Sequence, residues 1–169
     1  ALQAGGAGVG LLRTEFLYMN RADLPSEDEQ YEVFREIVER MSGRPVTIRT
    51  LDIGNDKLAP ALKDHMVETA NPALGLRAIR LSLRDRDLLD AQLGAILRAG
   101  AHGPVRILLP MISNVGEVRQ TRAALEQCAR RLKRRGIKIA EPMPALGAMI
   151  EIPGAALAAD ALAQSADFF

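Results

Sequence analysis

The sequence predicts an α/β domain built on a parallel sheet, and three observations carry that prediction. Short aliphatic runs alternate with longer amphipathic ones along the 169 residues. The short runs start roughly 20 to 45 residues apart, enough for one helical crossover between parallel strands. Polar residues follow the short runs, as they do where strand ends share a rim.

Taken in order, 9–12 reads as a strand and 26–41 as a helix. Ser26 with Glu29 three residues later has the form of a capping box, and Val33, Phe34, Ile37, Val38 and Met41 recur at helical spacing. Gly43 ends this helix and 46–48 begins a second strand. A third strand is expected at 78–81, then a helix over 85–99 burying Leu88, Leu89, Leu93, Ile96 and Leu97. The run 105–109, closed by Pro110, is the clearest strand, and 115–135 is a helix with Val118, Leu125 and Leu132 inward. A strand at 148–152, a helix at 155–164 and the start of another strand at 167–169 complete the reading, with loops at 58–72 and 138–146. A closed (β/α)8 barrel and an open doubly wound sheet use the same unit, so spacing alone does not choose between them. With a strand-flanking loop at one end and a beginning strand at the other, the chain is expected to be part of a larger domain.

Composition narrows the function classes. Hydrophobic residues make up 48% and charged residues 25%, the balance of a globular chain. Lys plus Arg total 22 against 21 for Asp plus Glu, a net charge of +1 that gives no global attraction to nucleic acid or an anionic membrane. Aromatics are 4% and Trp is absent, which removes most of the case for a base-stacking surface. No apolar run approaches the roughly 20 residues of a membrane span, and a single Cys128 excludes an internal disulfide framework.

The residues that point to chemistry follow the strands: Arg13 and Glu15, Arg49 and Asp52, Arg80 in the third strand, and Glu151 near the end of the fifth. Arginine forks hold phosphate or carboxylate bidentately, and a single glutamate among them suits Mg²⁺, which shares phosphate oxygens. Each pair also has an ordinary reading as a structural ion pair. Gly5, Gly6, Gly8 and Gly10 precede a strand and are expected to form the turn into it, not a phosphate loop. Lys57 is a further phosphate-facing candidate in a polar turn. The basic run 130–135 reads as a solvated helix face. His65 and His102 have no partner at metal spacing, and Cys128 reads as a packing residue. Met111, Met143 and Met149 are expected beside the rim as core or pocket wall.

Five ordered segments, GVGLLRTEFLYM (8–19), RTLDIGNDK (49–57), NPALGLRAIRLSL (71–83), VRILLPMI (105–112) and GAMIEIPGAA (147–156), resemble the enzyme I family of bacterial phosphoenolpyruvate-protein phosphotransferases across the whole chain. The first and last segments are shared with pyruvate phosphate dikinase and phosphoenolpyruvate (PEP) synthase, which remain the alternative, as does a non-catalytic dimerisation or binding fragment. The resemblance implies an incomplete (β/α)8 TIM-type barrel, about strands 2 to 7, with residues 1–169 as part of the PEP-binding domain and the phosphohistidine domain absent. It implies PEP binding by Arg13, Arg49 and Arg80, Mg²⁺ held by Glu151, and no catalytic acceptor of its own. Ile152 stands where the family commonly has Thr, and Asn55 where glycine is common. The implied partners are a phosphohistidine domain, a histidine-containing carrier protein and a second copy in a homodimer, in the cytoplasm, with no nucleic acid and no membrane insertion. Such a chain alone is expected to transfer no phosphoryl group.

Overall fold

The computed structural model describes residues 2–53 and 75–169. Lys57, Asn55, His65 and the loop at 58–72 lie outside the described residues. Among the described residues four strands, β1 (Val9–Leu12), β2 (Val46–Arg49), β3 (Val105–Leu109) and β4 (Ala145–Ala148), form one sheet in the order β1-β2-β3-β4. All three pairings are parallel. Their C-terminal ends therefore face one way. Phe168 extends the order by a parallel bridge to Gly147, as expected of a strand beginning there.

The helices follow their sequence signals. α1 (Glu27–Arg40) starts at the capping box: Ser26 Oγ accepts from Glu29 N at 3.2 Å and Glu29 Oε2 from Ser26 N at 2.7 Å. α2 (Ala78–Arg84) leads into α3 (Arg86–Ala99), whose first turn is capped by the Asp85 carboxylate on Leu88 N at 3.3 Å. α4 (Val115–Arg134) has a second capping box, from Asn114 and Glu117. Two short helices, α5 (Pro153–Leu157) and α6 (Ala159–Ala163), replace the single helix expected at 155–164. Phe34 and Val38 from α1, Ile48 and Ile107 from the sheet, Leu93 and Leu97 from α3 and Leu125 from α4 share the main core.

Two strand expectations are corrected. The segment 78–81 is helix, not strand: with Ile79 as its one β-branched residue among Ala, Arg and Leu, it favours helix. It also buries Ala78, Ile79, Leu81 and Ser82, close to the stripe of a helix laid on α3. The strand expected at 148–152 is displaced to Ala145–Ala148. Its partner β3 ends at Leu109, followed by Pro110 and by Met111 at φ 57°, so beyond the bond from Met149 N to Leu109 O (2.9 Å) the ladder has no edge to pair with.

The glycine-rich start is a turn into β1, as its position implied. Gly5 has φ +75°, and a Cβ on Gly8 would meet the Pro45 carbonyl oxygen at 2.7 Å. Close approach of two backbones requires glycine there.

Candidate active-site rim

The rim is assembled from the segments that leave the strands. Arg49, the last residue of β2, is 8% exposed. Its Nη2 donates to Glu15 Oε1 at 3.1 Å, and its Nη1 lies 3.3 Å from Asp52 Oδ2. Glu15 Oε1 also accepts from Asp52 N at 3.1 Å, while Asp52 Oδ1 accepts from Arg77 Nη2 at 3.1 Å. The charges alternate Glu15, Arg49, Asp52, Arg77. Both arginines retain a buried Nε with no acceptor among the described residues. Donors are in surplus here, the condition for receiving an anion.

Beneath this chain of charges lies a second apolar cluster of Tyr18, Leu51, Ile53, Leu81 and Leu88. It anchors the segments after β1 and β2 against α2 and α3. Tyr18 is wholly buried, with its hydroxyl donating to Gln30 Oε1 at 3.3 Å, and burial raises its phenol above the ordinary range.

On the other side, the Met149 sulfur lies 4.0 Å from Arg49 Nη1. Glu151 is exposed, and its Oε1 accepts from Met111 N at 2.7 Å, linking the ends of β3 and β4. Arg13 is the first residue past β1, is exposed, and has no ion-pair partner among the described residues. Arg80 is half-buried on α2, where its Nη1 donates to Gly75 O at 3.2 Å.

Arg49, Glu15 and Asp52 are thus brought together, with Glu15 paired to Arg49 instead of its neighbour Arg13. Arg80 lies on a helix and not in a strand. Sequence reasoning missed Arg77, the extended residue that caps the start of α2, whose only signal was its place three residues before Arg80. Met143 is corrected too: it precedes β4, exposed at the opposite end of the sheet, in a groove of about 590 Å³ with Pro45, Pro104 and Pro144. Cys128 is buried in α4 against Arg131, and burial pushes its thiol up to about 11, so it is no ready nucleophile.

Among the described residues no group of three or more His, Cys, Asp or Glu stands ready to enclose a metal. An exposed carboxylate such as Glu151 still fits Mg²⁺, which takes one or two protein carboxylates and completes its shell with water and phosphate oxygens.

A family profile for the PEP-binding domain of PEP-utilising enzymes matches residues 1–169. The chain belongs to that family. Phosphoenolpyruvate-protein phosphotransferases are similar to it throughout: that of Priestia megaterium is 48% identical over 99% of this chain. Those of Cupriavidus necator and Bacillus subtilis are 50% and 44% identical, again over 99% of the chain. The chain spans 29% of the length of each of these relatives.

Proposed function

We propose that this chain is the PEP-binding part of a phosphoenolpyruvate-protein phosphotransferase. The observation that carries the reading is the whole-chain similarity to proteins of that name, joined to an arginine-rich rim at the ends of parallel strands. Because the relatives named above are all phosphotransferases, the dikinase or synthase alternative is disfavoured. On this reading the four strands and the bridge at Phe168 are consecutive members of a (β/α)8 barrel. Residues 1–169 then form part of one PEP-binding domain.

PEP presents a phosphate and a carboxylate, and the proposal gives them to Arg13, Arg49 and Arg80. Arg13 is exposed and attracts the incoming anion, whereas Arg49 is fixed by Glu15 and Asp52 so that its guanidinium need not reorganise. Preorganised donors of this kind stabilise charge that shifts during phosphoryl transfer. Glu151 would hold Mg²⁺, which when bound polarises phosphoryl oxygens as a Lewis acid. The accepting histidine belongs to a separate domain, from which the group passes to a histidine-containing carrier protein. A cytoplasmic homodimer is part of the same proposal, and no helix among the described residues is long and apolar enough to cross a membrane.

Calorimetry on the full-length protein containing this chain, with PEP and Mg²⁺, tests the proposal. Saturable binding that Arg49→Ala weakens by about ten- to a hundredfold is expected, from the roughly 1.5–3 kcal/mol of a charge-assisted contact. Binding indifferent to Arg49 sinks it.

A further inference from the structure

Behind the rim, on α3, lies a buried polar side chain whose hydrogen bonds go to residues next to the charged ones. Gln92 is 2% exposed. Its Oε1 accepts from Leu51 N at 2.8 Å and its Nε2 donates to Thr14 Oγ1 at 3.2 Å. Thr14, wholly buried, passes the bond on by donating to Arg49 O at 3.0 Å. The direction of every bond is determined. A backbone N–H at Leu51 can only donate and a backbone carbonyl at Arg49 can only accept, so the amide and hydroxyl between them have one consistent orientation.

The three bonds join the segment after β1 to the segment after β2, where the strand ladder has already ended at Leu12 and Ile48. Thr14 is flanked by Arg13 and Glu15, and the two anchored backbone groups of the second segment bracket Thr50 directly after Arg49. On the far side Thr50 N donates to Leu108 O at 3.0 Å, so that backbone is held from β3 as well. The Glu15 carboxylate also ties the two segments at Asp52 N, and Gln92 shares with it the spacing of the Arg13 and Arg49 segments, gripping both from α3.

Resting on the PEP reading above, we infer that Gln92 is a positioning residue, whose amide sets the spacing of the Arg13 and Arg49 segments and thereby the affinity of the rim for PEP. The thioether of methionine, of nearly the same length, keeps the volume and loses both amide bonds, leaving Leu51 N without its amide acceptor. A misplacement of the order of 1 Å suffices to cost a preorganised site much of its advantage.

The test uses the full-length protein, PEP as probe, calorimetric titration with Mg²⁺ and thermal unfolding in parallel. Wild-type binding and its loss in Arg49→Ala establish the underlying reading separately; if the wild type binds no PEP, both fall. Given that binding, Gln92→Met is expected to raise Kd about tenfold. Thr14→Val should do the same, and Thr14→Ser, which keeps the hydroxyl, should restore near-wild-type affinity. Ile96→Val, on the same helix and buried without polar bonds, should lower Tm and leave Kd unchanged. Wild-type affinity in folded Gln92→Met and Thr14→Val overturns the inference, as does a Kd shift in Ile96→Val matching its Tm loss. Should Gln92→Met not fold, the Thr14→Val and Thr14→Ser pair decides the matter.

Discussion

Of the arginine–carboxylate clusters around α3, the one at the strand rim and the one against α1 serve different ends. At the strand rim, Arg49 is enclosed, meets two carboxylates that are themselves 14–15% exposed, and still has a buried Nε to spare. Between α3 and α1, Arg98 Nη1 reaches Glu27 Oε1 at 2.8 Å and Asp28 Oδ1 at 2.6 Å, and its guanidinium lies 4.1 Å from the centre of the Tyr31 ring. There Gly94 leaves room for the Glu27 carboxylate: a Cβ would sit 2.5 Å from Glu27 Oε2. Asp28 is 82% exposed, so water screens half of that cluster. Identical chemistry holds two helices together in one place and stores ordered charge in the other. The difference lies in burial and in which backbone the carboxylates grip, since Glu15 also binds the Asp52 amide.

The sharpest way to break the comparison is Arg49→Ala. It strands Glu15 half-buried without a cation and leaves Asp52 to Arg77 alone, at a cost of about 3–5 kcal/mol, and denaturant unfolding should show that loss alongside the lost PEP affinity. Arg98→Ala removes a screened pair and a cation–π contact, costing about 1–2 kcal/mol with Kd for PEP unchanged. If Arg98→Ala weakens PEP binding as much as Arg49→Ala, the two clusters are not functionally distinct. Ser26→Ala takes one bond from the α1 capping box and should cost about 1 kcal/mol in unfolding free energy, again without touching PEP.

The smallest expected effect concerns Cys128, buried in α4. Burial, which outweighs the influence of Arg131 and Asp90, raises its pKa from 9.0 to about 11. Below 9.0 the thiol is protonated in folded and unfolded chains alike, and its contribution to stability is fully present. As pH rises from 9.0 towards 11 the unfolded chain ionises first, so stability falls. Tyr18, also raised by burial, pulls in the same direction in more alkaline solution. Comparing Cys128→Ala with the wild type isolates the thiol: its unfolding free energy should decline less over that interval, and parallel curves would refute the assignment.

The local code determined much of this protein by itself. Ser26–Glu29 started α1, the aliphatic run Val105–Leu109 before Pro110 became β3, and the stripe from Leu88 to Leu97 became the buried side of α3. The place of Arg49 was legible because it closes the apolar run at 46–48, whereas Glu151 falls beyond the end of β4 and not within the strand expected there. Tertiary structure decided what depends on partners distant in sequence. Where β4 stops turned on its partner β3 ending at Leu109. Arg49 chose Glu15 from 34 residues away, and Gln92 met Leu51 and Thr14 across 41 and 78 residues. A capping box or an amphipathic stripe is written in residues three or four apart. A buried hydrogen bond between segments has no such period, and only the packed chain brings its donor to its acceptor.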